Sequence, residues 1–182
     1  MKLRGYIALV LAGCMLLFGG CQQEQTLPLE QPVELIFSSG AGAWASVITL
    51  NSDGAFEGVY RDTDMGACGE DHPNGTVYTA VFSGRFTDIQ PLDAYSYSLR
   101  LTELTTEKEV GAEWIEDGVL YKASAPAGLV DGEVFIFYLP GAPVDTLPAD
   151  LLDWYPVDRP ENILPLFALY NQAAEQGFFS LA

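Results

Sequence analysis

Positively charged residues are scarce in this sequence of 182 residues. It holds 8 Lys and Arg against 25 Asp and Glu, which gives a formal net charge of −17 at pH 7. Proteins that bind nucleic acids neutralise the phosphate backbone with clustered cations, and a few scattered ones form no such surface. The composition therefore predicts no nucleic-acid partner.

Histidine and cysteine are also rare, with one His and three Cys in the chain. His72 is the only imidazole, which excludes a histidine-rich zinc site, and together with Cys68 it falls short of a structural zinc set. A Ser-His-Asp or Cys-His site would have to use His72, and no Gly-x-Ser-x-Gly turn accompanies it. We therefore predict no catalytic residue in the chain.

Long apolar runs are confined to the N-terminus. Lys2 and Arg4 precede an uncharged run over residues 6–18, and two glycines follow it directly before Cys21. The run is shorter than the roughly 20 apolar residues of a membrane-spanning helix. The pattern predicts a lipoprotein signal peptide over residues 1–20 and a diacylated Cys21, which would anchor the protein to the extracytoplasmic face of the cell membrane.

Two alternatives to this interpretation remain open. Cys14 follows Leu-Ala-Gly and is the other candidate for lipidation, and the apolar run could also be an uncut signal anchor. Residues 22–32 have no hydrophobic period and contain two prolines, so we predict a flexible tether there. The remaining residues, 33–182, form one predicted β-rich domain, which would contact the membrane only through the N-terminal lipid because acidic surfaces are repelled by anionic bilayers.

Alternation of apolar and polar residues dominates the chain after residue 33. Ser46, Ile48 and Leu50 fall on one face of a strand with Trp44, and the Asn-Ser-Asp-Gly sequence at 51–54 predicts a hairpin turn. A long strand that alternates aromatic and small residues over 78–86 is typical of a narrow barrel filled by side chains. We predict a mainly β fold: a small antiparallel meander barrel or a strongly curled sheet, with a two-sheet sandwich as the alternative.

Two short helices are predicted after the strands. The first would begin at Thr146 and end before Pro156, and the second would begin at Asn162 and stop at Gly177. The strand at 133–139 is apolar on both faces and therefore needs a cover. These helices would supply it through a stripe of apolar residues in the second one: Ile163, Leu166, Phe167 and Tyr170.

Several short stretches of the sequence resemble a recurring type of uncharacterised bacterial lipoprotein. They are FSSGAGAW, NSDG, FEGVY, RDTDMG, PNGTVY, FSGRF and the C-terminal ALYNQAAEQGFF. The resemblance covers most of the chain and implies a lipid-anchored extracytoplasmic protein, without implying an activity. The sequence Gly42-Ala43-Trp44 is also similar to the Gly-x-Trp motif of lipocalins.

Aromatic residues supply one candidate binding site. The predicted strands direct six of them to a common face, where they would line a pocket for a small apolar or sugar-like ligand, or else fill the core. These residues are Trp44, Tyr60, Tyr78, Phe82, Tyr95 and Tyr97.

An acidic segment between two predicted strands supplies the second candidate. It spans residues 62–75, which is long for a hairpin loop, and contains the carboxylates of Asp62, Asp64, Glu70 and Asp71. Carboxylate oxygens are ligands that Ca²⁺ prefers. The segment is therefore a candidate calcium site, and a solvated acidic loop is the alternative; no other cofactor is predicted.

The function that follows from these features is a lipid-anchored binding or interaction module whose small ligand or protein partner is not identified. One alternative is a small hydrolase of the cell envelope or of glycans that uses paired carboxylates, one of which would need a raised pKa. Another is a structural envelope protein that has no small ligand.

Overall fold

In the computed structural model of the protein, the described residues are 25–39 and 42–181. The predicted signal peptide, Cys14 and Cys21 lie outside them. The described part contains one short helix, α1 (Ala149–Asp153), and one 3-10 turn (Val144–Thr146). Its strands are β1 (Val33–Ser38), β2 (Trp44–Leu50), β3 (Ala55–Asp64), β4 (Thr76–Pro91), β5 (Ser96–Thr106), β6 (Glu113–Glu116), β7 (Val119–Ala123), β8 (Val134–Tyr138), β9 (Ala168–Asn171) and β10 (Gln176–Ser180).

Eight of these strands close into an antiparallel barrel. Their order is β1-β2-β3-β4-β5-β8-β9-β10, and β10 pairs with β1 to complete the ring. Each strand thus pairs with the one before it in the barrel, which is the up-and-down order also found in lipocalins. The predicted antiparallel meander barrel is confirmed, and the sandwich is not formed.

A hairpin is inserted between the fifth and sixth barrel strands. β6 and β7 pair antiparallel around a turn at residues 117–118, and β7 runs parallel to the first residues of β4, Thr76 to Thr79. β5 pairs with the later part of the same edge, from Phe82 onward. The edge of β4 therefore changes partner between Thr79 and Phe82, and the hairpin projects from the barrel wall there.

The barrel interior is filled by the apolar residues that alternate along the strands. Ser46, Ile48 and Leu50 share the inward face of β2, as predicted, and each is fully buried. On β4, Phe82 and Phe86 are buried in the same cluster. The interior is therefore filled by the barrel's own side chains, which decides between the two interpretations that the sequence left open.

The second predicted helix is wrong. The stretch from Asn162 to Gly177 instead enters β9 at Ala168, and β9 and β10 form the hairpin that closes the barrel. β1 and β8 would otherwise be open edges, and strand pairing satisfies their backbone groups, which a helix at this place would leave exposed. The first helix is present but short. Thr146 does not cap it, because its hydroxyl donates to the Pro143 carbonyl at 2.7 Å.

The segment between β8 and β9 covers the outside of the barrel. Its residues and the outward side chains of the last strands form a second apolar cluster, and Tyr138 of β8 packs against it. Inward, Phe135 and Phe137 of the same strand are fully buried in the barrel. The expectation that the C-terminal region covers this doubly apolar strand is confirmed, although most of the cover is irregular chain.

The two ends of the barrel differ. We call the end at which the chain enters the barrel the entry end; it carries the β2–β3 turn (51–54), the β4–β5 turn (92–95) and the end of β10. The opposite end, which carries the acidic loop and residues 124–133, is the loop end. At the entry end Leu27 is only 2% exposed, and its N–H donates to the Ser52 carbonyl at 2.8 Å. The predicted tether is therefore attached to the barrel at Leu27, and Leu29 also packs against the core.

Candidate functional site

The six aromatic residues predicted to line a pocket do not form a single site. Phe82 is buried in the barrel core, and Trp44, Tyr60 and Tyr97 pack against that core as partly buried side chains. Tyr78 is half-buried on β4, and Tyr95 lies in the β4–β5 turn at the entry end with 40% of its surface exposed. Most of the set therefore contributes to packing, and Tyr95 is separated from the rest.

The loop end of the barrel is closed by residues 124–133. Ala127 and Leu129 of this stretch pack on the core, and the buried Ser46 hydroxyl donates to the Ala127 carbonyl at 2.7 Å. The amide of Asn171, which is fully buried, donates to the carbonyls of Gly128 and Val130 at 3.0 and 3.2 Å. Polar groups at 46 and 171 thus hold an irregular segment across the opening, where a ligand would otherwise enter.

An open groove of about 510 Å³ lies on the outer wall of the barrel, over β2, β3 and β4. Val47, Val59 and Val81 form its floor, because strand pairing places them side by side in one row. Val59 and Val81 are 46% and 43% exposed, which is high for apolar side chains in a sheet. The groove is completed by polar residues around this floor: Thr49, Glu57, Ser83, Thr105, Thr106 and Glu107.

A smaller notch continues the groove toward the β6–β7 hairpin. It is bounded by Trp114, Lys108 and Ala123, and it shares Val81, Thr106 and Glu107 with the groove. The Trp114 ring is stacked on Tyr121 with the ring centroids 5.2 Å apart, and the Lys108 ammonium lies 4.6 Å from its centroid. Since Trp114 already has these two partners, it serves as a wall of the notch and not as a free stacking platform for a sugar.

The four carboxylates of the predicted acidic loop do not converge, and two of them, Asp62 and Asp64, belong to β3 and not to the loop. Among residues 25–39 and 42–181, no group of three or more His, Cys, Asp or Glu side chains lies close enough to hold a metal ion. Asp64 instead accepts the N–H groups of Gly66 and Ala67, and Asp71 lies 2.6 Å from the His72 ring. The loop geometry gives no support to the calcium site predicted over Asp62, Asp64, Glu70 and Asp71, and calcium binding stays a prediction.

The electrostatics of the carboxyl groups bear on the hydrolase alternative. A hydrogen bond from His72 holds the pKa of Asp71 below its usual value, and the N–H of Tyr95 does the same for the pKa of Asp93. A general acid in a paired-carboxylate site requires a raised pKa. Neither of these two groups has the property that such a mechanism needs.

The outer groove could not be predicted from the sequence alone. Val59 stands between Glu57 and Arg61, and Val81 between Thr79 and Ser83, on faces that otherwise read as solvent-exposed. A single valine on such a face is unremarkable. Only the pairing register shows that Val47, Val59 and Val81 are neighbours, and therefore that they form a continuous apolar floor.

Comparison with known proteins adds no relative. No family model matches the chain, and neither a curated protein nor a solved structure shows significant similarity to it. Within the described residues, no helix has the length and apolar character to cross a membrane.

Proposed function

We propose that the protein is a lipid-anchored extracytoplasmic binding module whose binding surface is the outer groove of the barrel. The observation that carries this proposal is the contrast between the two faces of the barrel wall. The inside is filled with phenylalanine, leucine and isoleucine side chains, whereas the outside has an apolar floor left open to solvent. Exposed apolar patches with polar rims are typical of surfaces that bind a ligand or a partner.

The chemistry of the groove favours an apolar group as its occupant. The valine floor would be buried by such a group, and burial of apolar surface contributes about 25 cal/mol per Å². Glu57 and Glu107 at the rim disfavour an anionic ligand, and the hydroxyls of Thr49 and Ser83 offer hydrogen bonds to its polar parts.

The anchor is tested by cell fractionation. We expect the wild-type chain in the membrane fraction and Cys21→Ser in the soluble fraction, because serine has no thiol that could be acylated. Cys14→Ser is the matched control and should stay with the membrane. Release by Cys14→Ser and retention of Cys21→Ser would transfer the anchor to Cys14, and retention of both variants would favour an uncut signal anchor.

The groove is tested by titrating the soluble Cys21→Ser protein with the neutral apolar fluorophore N-phenyl-1-naphthylamine. We expect saturable binding that Val59→Ser with Val81→Ser weakens about tenfold, since two exposed valines are lost from the floor. The control is Val157→Ser with Ile163→Ser, two apolar side chains outside the groove lining that are more exposed than Val59 and Val81. Equal affinities of wild type and the Val59/Val81 variant would contradict the groove as the binding surface.

A further inference from the structure

The path of the chain restricts how an anchored barrel stands on its membrane. Leu27 is buried in the core at the entry end, and Leu29 packs against the same cluster. The hydrogen bond from the Leu27 N–H to Ser52 ties this segment to the β2–β3 turn. The part of the chain that is free to act as a tether therefore ends at Leu27 and does not extend to residue 32.

The remaining tether is short. Six peptide steps separate Cys21 from Leu27 in the sequence. At about 3.3–3.6 Å per residue even a fully extended chain spans roughly 20 Å. An acylated Cys21 therefore keeps the entry end near the bilayer.

The entry end also exposes apolar side chains. Leu92 in the β4–β5 turn is 57% exposed, and Leu181, directly after β10, is 68% exposed. Tyr95 of the same turn is the third exposed apolar side chain, at 40%. Aromatic side chains with a polar tip suit the interface between lipid headgroups and water. At the loop end Met65 is equally exposed, but it lies within the acidic loop.

The distribution of charge also favours the entry end as the one that lies at the bilayer. At the entry end Asp53 pairs with Arg85, so part of the negative charge is compensated there, and Asp88 shares Arg100 with Glu133 of the 124–133 stretch. The acidic loop at the other end has four carboxylates, and among the described residues only His72 pairs with one of them. An anionic bilayer surface repels the loop end more strongly than the entry end.

From these observations we infer that the entry end of the barrel rests on the bilayer surface, with Leu92, Tyr95 and Leu181 in the headgroup region and the acidic loop directed away from the membrane. The inference rests on the proposed lipid anchor at Cys21. It replaces the expectation that the protein contacts the membrane only through its lipid, and it leaves the outer groove on the side of the barrel accessible to a partner.

The orientation is tested with single fluorescent labels on the full chain in a Cys68→Ser background. Leu92→Cys and Leu181→Cys label the entry end, and Met65→Cys, at a side chain of similar exposure, is the matched control at the loop end. The lipidated chains are reconstituted into phosphatidylethanolamine–phosphatidylglycerol vesicles that contain a headgroup-attached spin quencher. We expect at least threefold stronger quenching at residues 92 and 181 than at residue 65.

Vesicle flotation separates the two proposals. Chains that float with the vesicles and are quenched equally at all three positions, or most at residue 65, would overturn the orientation and leave the anchor intact. Chains that fail to float would overturn the anchor, and the orientation with it. All three labels replace exposed side chains, so we expect each labelled chain to fold. Circular dichroism of each chain checks this.

Discussion

Two glycines in the barrel wall are required by the rings that cover them. Gly58 of β3 is paired across the sheet with Phe82, and Gly84 of β4 with Phe56. A Cβ atom on Gly58 would lie 2.4 Å from the Val47 carbonyl oxygen and 2.7 Å from the Phe82 ring. Each phenylalanine therefore occupies the space that a side chain on the opposite glycine would need, and this lets a narrow barrel hold large rings.

Substitution of Gly58 tests this packing. We expect Gly58→Ala to lower the free energy of unfolding by about 1–3 kcal/mol, because the added methyl group must displace a ring or a backbone carbonyl. Gly66→Ala in the acidic loop is the control: its Cβ would meet only the Asp64 side chain, at 3.4 Å. Urea unfolding measures both variants, and an equal effect of the two would show that the ring does not need the space over Gly58.

At the scale of elements, the stretch 124–133 depends on one buried side chain of another element. The Asn171 amide of β9 donates to two of its carbonyls, while its oxygen accepts the N–H groups of Ala173 and Ala174 in the β9–β10 turn. A buried polar group that loses its partner costs free energy. Asn171 therefore joins the closing segment of the loop end to the last hairpin of the barrel.

Removal of this amide should loosen the loop end first. We expect Asn171→Ala to destabilise the protein by about 2–4 kcal/mol, since two carbonyls and two N–H groups lose their partner at a cost of about 1–3 kcal/mol for each buried group that stays unpaired. Hydrogen exchange should accelerate more in residues 124–133 than in β2. The exposed Asn162→Ala is the control and should leave stability unchanged. Uniform acceleration across the barrel would contradict a local role for Asn171.

For the molecule as a whole, buried tyrosines link stability to alkaline pH. Burial, with smaller contributions from Tyr170 and Asp93, raises the pKa of Tyr138 to about 12. Burial also raises the pKa values of Tyr60, Tyr155 and Tyr170. A phenol with a raised pKa keeps its proton longer in the folded than in the unfolded chain, so its stabilising contribution is complete below about pH 10 and is lost as pH rises through the folded pKa.

We therefore expect the free energy of unfolding to fall between about pH 10 and pH 12. Tyr138→Phe should make this decline shallower, because the phenol that loses its proton is absent. Urea unfolding at pH 8, 10, 11 and 12 measures the slopes. An identical slope for wild type and Tyr138→Phe would show that the ionisation of this phenol does not contribute.

Much of the barrel was predictable because its signals are local. Alternation along β2, the turn at residues 51–54 and the small and aromatic residues of β4 depend on neighbours within a few positions, and each was read correctly. A local signal gave a wrong prediction between Asn162 and Gly177, where apolar residues at helical spacing favoured a helix. Strand pairing with β1 and β8, which are more than 20 residues away in sequence, outweighed that preference.

Composition and local patterning were enough to predict the acidic character, the mainly β architecture, the up-and-down connections and the apolar segment that needed a cover. The packed barrel was needed to show which aromatic residues are core, which end receives the chain at Leu27, and that three separate valines form one exposed floor. Alternation assigns a residue to a face of its own strand, but the register between strands, set by closure of the whole barrel, decides which residues of different strands become neighbours.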